Sequence, residues 1–182
     1  MGSENGDRRG PSESSATASE RAFEIRPVTL DDLEILIDIY LDTATHHAAI
    51  DPEWFHVPAR DDVATRLRGR IDGRGPTGEY VAAIIDGQMV GSASVNVEDA
   101  PHPGSMMRRV LTAEFGVSVV AGQRGRGIGR ALIGHVEDWA AEHGIERMIL
   151  NVAEGNVDAI RLYHALGYRE YDRAMRKSMT RS

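Results

Sequence analysis

The chain has 182 residues, 41% of them apolar, which suits one domain with a full core. Its 28 acidic against 21 basic side chains give a formal net charge of −7, so charge-driven attraction to nucleic acid or an anionic membrane is disfavoured and an amine-bearing partner fits better. With no cysteine, disulfides, thiolate nucleophiles and Cys-ligated zinc are excluded, and a reducing, cytoplasmic setting is the expectation.

Residues 1–20, rich in Ser, Gly, Glu and Ala, bury too little to offset their ordering entropy and read as a disordered tail, leaving 21–182 as one domain. They lack the apolar core of a signal peptide, and no run reaches the roughly 18 apolar residues of a membrane span. "FEIRPV" (23–28) alternates as a strand. Thr29, Asp31 and Asp32 then open a helix with Leu33, Leu36, Ile37, Tyr40 and Ala44 on its apolar face. Val63, Leu67 and Ile71 space a second helix over 61–71.

"EYVAAIIDGQMVGSASVNV" (79–97) reads as a hairpin turning at Asp86-Gly87, a pair suited to the positive φ angles of a type I′ turn. A loop with Pro101, His102, Pro103 and Gly104 leads to a strand over 112–120, where Phe115, Val117 and Val119 alternate with Glu114, Gly116 and Ser118. Next comes "QRGRGIGRAL" (123–132), then a helix through Ile128, Leu132, Val136 and Trp139 that stops at His143-Gly144. "RMILNV" (147–152) is a strand, Asn156 opens a helix ended by Gly167, and a last pair of strands is expected within 168–179. The order predicts an α/β fold of the α+β kind, a mixed sheet with helices on its faces.

Glycines at 125, 127 and 129 beside Arg124, Arg126 and Arg130 at a helix start suggest an anion site, because amides approach a ligand freely where no Cβ intervenes and a helix N-terminus offers free donors. A Walker A loop is excluded, since Gly127 is followed by Ile128-Gly129 and not Lys-Ser/Thr. A dinucleotide fingerprint fails where Leu132 stands in place of a third small residue.

What remains is Arg124-x-x-Gly127-x-Gly129, which resembles the acyl-CoA pyrophosphate loop of the GNAT superfamily of acetyl-CoA-dependent N-acetyltransferases. Asn156, Ala159 and Tyr163, followed by Leu166, Gly167 and Tyr168, resemble that superfamily's Asn-x-x-Ala-x-x-x-Tyr helix and its ending. The resemblance covers about 79–179 by motif and the N-terminal half by element order alone. It implies a central, mostly antiparallel sheet splayed between its fourth and fifth strands, with about four flanking helices. It also implies acetyl-CoA as co-substrate, held by Val119, Val120, Ala121, Arg124, Gly125, Gly127, Ile128, Gly129, Arg130, Ala131 and Asn156, with no metal. The pantetheine arm would pair with exposed backbone, and the thioester carbonyl would meet an N–H near Val119.

The resemblance further implies direct attack by a neutral amine. Tyr163, with a reference pKa of about 10, would be the acid for the departing thiolate. Glu114 is the candidate base, working through water, or else a solvated carboxylate at a strand end. Asn151 stands where relatives that acetylate protein N-termini carry a glutamate, which argues against transferring their base and substrate.

His46 and His47, about 100° apart on a helix, do not form a chelating pair. His102 lies in a loop of the kind that contacts substrates. "HHAAIDPEWFHVP" (46–58) is expected on the acceptor side, with Trp54 and Phe55 either walling the pocket or packing under the helices. The expected acceptor is a primary amine on a small molecule or protein, and a homodimer is a family-level expectation only. A non-catalytic acyl-CoA sensor or partner-binding module of the same fold is the alternative. Acceptor identity, the base, oligomeric state and the range of acyl donors are open at this level.

Overall fold

Asp86 and Gly87 take φ of +49° and +77°, the positive pair that a two-residue turn between twisted strands requires. They join β2 (Gly78–Ile85) to β3 (Gln88–Val97) in an antiparallel ladder that runs from Gly78↔Asn96 to Ile85↔Gln88. A register shift at Ala83/Ile84 is absorbed within that ladder. The computed structural model describes residues 23–72, 77–177 and 179. The expected tail at 1–20 lies outside the described residues.

β1 (Glu24–Pro27) pairs antiparallel with β2, β4 (Thr112–Val119) antiparallel with β3, and β5 (Arg147–Ile149) parallel with β4. The five strands of the described residues thus lie in chain order, antiparallel except at the last pair. Among the described residues four helices flank them: α1 (Leu33–Ile50), α2 (Arg60–Asp72), α3 (Ile128–Glu142) and α4 (Val157–Ala165). Short 3-10 turns precede α1 at Leu30–Asp32 and α3 at Ala121–Gln123.

Each face of the sheet has its own core. Against α1 and α2, Leu36, Ile37, Val63 and Leu67 pack with Tyr80, Ala82 and Ile84 of β2. Against α3 and α4, Ile128, Leu132, Ile133 and Val136 pack with Val81, Ala83, Ala93, Val95 and Phe115. Fully burying each large aliphatic side chain contributes about 1.5–3 kcal/mol, so the two clusters hold the helices to the sheet. Ile39, absent from the predicted apolar face of α1, is also buried, because this helix is covered over a wider arc than its central stripe.

Helix ends follow local chemistry. Gly144 (φ +69°) and Gly167 (φ +94°) take the left-handed position after α3 and α4. In both cases the next residue's N–H bonds back into the last turn, Ile145 to Ala140 and Tyr168 to Tyr163, which is the Schellman arrangement. At the other end, Asp32 accepts from the Thr29 amide at 2.8 Å and from both terminal nitrogens of Arg26 at 2.8 Å, tying β1 to the start of α1.

Two expectations need correction. The fifth strand is shorter than 147–152, ending at Ile149, and no strand occurs among the described residues of 168–179. Residues 169–177 are all exposed, Tyr171 and Met175 included. Their alternation therefore has no buried face to fix a register. This segment is instead fastened by Arg176, whose guanidinium meets Asp51 Oδ2 at 2.5 Å and lies 5.3 Å from the centre of the Trp54 ring.

Candidate functional site

The parallel ladder stops at Glu114↔Ile149, while β4 continues to Val119. Strand residues point their amide and carbonyl alternately to either neighbour. The Thr112 carbonyl accepts from Glu98 and the Val120 amide donates to Val90, so even-numbered residues of β4 face β3. Val117 and Val119 consequently turn their main-chain groups outward, beyond the end of β5. This is the expected splay: a short, unladdered strand edge opened where two parallel strands part.

At the far end of that edge the chain turns into α3. Gly125 and Gly127 take φ of +76° and +81°, conformations costly for any residue with a Cβ. Gly127 occupies the N-cap of α3 and supplies no side-chain cap, so no side chain blocks the first amides of the helix. A Cβ on Gly129 would make only ordinary contacts, 3.5 Å to Leu162 and 3.7 Å to Val119. Ile128 is buried with its side chain in the core, so only its main chain is available at the loop.

The arginines divide. Arg124 Nε donates to the Val119 carbonyl at 3.1 Å and its Nη2 lies 3.6 Å from Asp42 of α1, whereas Arg126 donates to Gln123 within the loop. Arg130 is exposed and Ala131 partly exposed on the first turn of α3; Ala121 is exposed in the preceding 3-10 turn, and the partly buried Val120 packs against the core under α1 and α2. Asn156 caps α4, its side chain accepting from the Ala159 amide at 3.4 Å.

Tyr163 approaches from α4. Its ring meets Phe115 of β4 edge-on at 6.2 Å and Tyr168 at 6.0 Å, while the Tyr168 hydroxyl donates to Glu137 at 2.7 Å. Burial raises the Tyr163 pKa above the ordinary phenol value. Its hydroxyl has no hydrogen-bond partner among the described residues, yet it is not sealed from solvent. A neutral O–H donor is thus held by aromatic packing with its polar end free. Tyr168 is also pushed up, first by burial and then by the Glu137 carboxylate.

On the opposite face of the sheet, cross-strand partners place Ser92 beside Ser118, Ser94 beside Gly116 and Asn96 beside Glu114. Residues directly opposite in a ladder share a face, and this is the face covered by α1. Glu114 is half-buried and accepts from the Asn151 amide at 2.8 Å, just beyond the end of β5. The structure therefore places Glu114 and Asn151 where the parallel ladder ends, with Val119 and the start of α3 five residues farther along β4.

The acceptor-side expectations resolve differently. Trp54 is 64% exposed and does not pack beneath the helices; Phe55 lies against His47 at 5.1 Å. His46 and His47 rings are 6.0 Å apart, and His47 donates to the Thr43 carbonyl. His102 accepts from the Gly104 amide inside its own loop. No cluster of three or more metal-ligating side chains occurs among the described residues, and no helix of the described residues is long and apolar enough to cross a membrane. Sequence reasoning missed Asp42, which offers no motif, and Phe115, whose alternation marks it only as core.

Comparison with known proteins adds an independent line. A model of the acetyltransferase (GNAT) family matches residues 35–168. The streptothricin acetyltransferase of Streptomyces lavendulae is 36% identical over 89 residues, 49% of this chain and 43% of that protein, so the chain matches less than half of that relative's length. Among solved structures, a mutant of the BH1408 protein from Bacillus halodurans superposes with a TM-score of 0.79 at 19% identity, covering 86% of this chain and 99% of the other. An aminoglycoside N-acetyltransferase in complex with CoA gives a TM-score of 0.62 at 20% identity, covering 86% and 94%. The fold is shared with both, and the family match extends over the loop, the parted strands and the tyrosine helix together: the chain belongs to the acetyltransferase (GNAT) family.

Proposed function

We propose that the protein is an N-acetyltransferase that moves an acetyl group from acetyl-CoA to a primary amine. The observation that carries this reading is the juxtaposition, at one end of the sheet, of an unladdered β4 edge and a helix start capped by glycine alone. The residues fit the donor. Outward amide and carbonyl groups at Val117 and Val119 match an arm that itself contains amides, and the open amides of Ile128, Gly129 and Arg130, with Arg124 and Arg130 adding charge, match a diphosphate, whereas the Ala131 amide is already bonded to the Gly127 carbonyl. The likeness to a fold solved with CoA supports the same reading.

When bound, acetyl-CoA supplies an activated acyl carbon. The chain's part is to align the reactants and move protons. The amine nitrogen forms a bond to the acyl carbon as the carbon–sulfur bond breaks. The amine proton passes to Glu114 through water, oriented by Asn151, and the Tyr163 hydroxyl donates its proton to the departing sulfur. Because burial keeps Tyr163 protonated well past neutrality, it remains a donor throughout the working range. An N–H of the Val119 region would support the charge developing on the carbonyl oxygen.

The test is an acceptor screen: small amines, amino acids, aminoglycosides and lysine peptides are incubated with acetyl-CoA, and free thiol and a one-acetyl mass gain are read together. Stoichiometric release of thiol with acetylated product is the expected result. Tight CoA binding with no turnover across the panel would overturn the enzymatic reading and leave the binding module.

A further inference from the structure

Arg124 is the one loop cation that reaches outside its own loop among the described contacts. Its Nε holds the carbonyl of Val119, and its Nη2 lies 3.6 Å from Asp42 Oδ2 on α1. Those two partners belong to different machinery. Val119 is the last outward-facing residue of the open β4 edge, and α1 is the helix that covers the polar face carrying Glu114. As long as Arg124 keeps both contacts, its charge is turned toward α1 and one acceptor of the open edge is already used.

We infer that Asp42 is a positioning residue for the donor: acting through Arg124, it latches the open end of β4 to α1, and donor binding proceeds by exchanging that carboxylate for diphosphate. The inference rests on the donor site proposed above. Diphosphate and carboxylate compete for one guanidinium, and Arg-phosphate contacts gain from charge-assisted, bidentate geometry that a 3.6 Å contact to one carboxylate oxygen lacks. Release also frees the Val119 carbonyl for an amide of the incoming arm. Occupancy of the donor loop is thereby communicated to α1, because the carboxylate left behind belongs to that helix.

A double-mutant cycle on CoA binding tests this. Dissociation constants are measured by calorimetry for the wild-type protein, Asp42→Asn, Arg124→Gln and the double variant, with thermal unfolding confirming that each is folded. Asp42→Asn should tighten CoA by about threefold, the scale of an exposed ion pair, and should have no effect when Arg124 is already glutamine. An equal tightening in both backgrounds would mean simple repulsion between Asp42 and the anion and would overturn the latch. So would an unchanged constant for Asp42→Asn in the protein that retains Arg124. If Asp42→Asn does not fold, Asp42→Ser is read in the same way. A wild-type protein that binds no CoA overturns the donor site itself, an outcome distinct from binding that ignores Asp42.

Discussion

The side-chain amide of Asn151 donates to Glu114 Oε1 at 2.8 Å, across the point where β4 and β5 separate. One residue follows the end of the parallel ladder and the other closes it, so the bond fixes a carboxylate at the mouth of the opening. Glu114→Gln should lower kcat by about 100-fold, in the usual range for loss of a general base. Asn151→Ala, which removes only the orienting donor, should cost roughly tenfold or less in kcat. Steady-state thiol release with the best acceptor checks both. Equal rates for Glu114→Gln and wild type would return Glu114 to the role of a solvated strand-end carboxylate.

Tyr163→Phe keeps the ring that packs on Phe115 and removes only the hydroxyl. The maximal rate should fall by about 100-fold while CoA affinity stays within about twofold, the pattern of an interaction made only in the transition state. In the wild-type protein the alkaline decline in rate should begin above the ordinary phenol range, since burial holds the proton on. A phenylalanine variant with an unaltered pH-rate profile would remove Tyr163 as the acid.

Gly127 and Gly129 should respond differently to the same added methyl. At Gly127, φ of +81° makes alanine strained, and Gly127→Ala should cost about 1 kcal/mol of stability together with CoA affinity. At Gly129 the added Cβ meets its neighbours no closer than 3.5 Å. Gly129→Ala should therefore keep the melting temperature and lose affinity alone. Calorimetry with CoA and thermal unfolding, run on both variants, separate backbone strain from blocked approach.

Asp32 predicts an acid-sensitive fold. The Arg26 guanidinium, then the Thr29 amide, hold its carboxyl at about 2 against the usual 3.8, outweighing partial burial, which acts the other way. A carboxyl lowered on folding stabilises the protein above its unfolded pKa, and that contribution disappears as pH falls from near 4 toward 2. Allowing for solvent around Arg26, Asp32→Asn should lower stability at pH 7 by roughly 1 to 2 kcal/mol. Denaturant unfolding should show the gap between variant and wild type closing as pH drops through that window. A gap constant with pH would assign the loss to capping geometry and not to charge.

Much of the backbone frame around the candidate site was legible in the sequence because its signals are local. The helix stops at Gly144 and Gly167, the turn at Asp86-Gly87, and alternation along 112–120 each depend on a few neighbouring residues, and all are present in the fold, the strand ending at Val119. Strands at 168–179 were misread for the complementary reason. A strand pattern becomes a strand only where a partner edge and a buried face exist, and the exposed run from Arg169 to Lys177 has no buried face.

By itself the sequence determined the element order, the glycine-led helix start and the tyrosine helix, because backbone sterics and short-range periodicity act within a few residues. Only the tertiary structure decided that Glu114 meets Asn151, that Tyr163 rests on Phe115 and that Arg124 reaches Asp42. Those partners lie 37, 48 and 82 positions apart, subtracting their residue numbers. Contacts at such separations are set by how two cores clamp one twisted sheet, which no window of the chain contains.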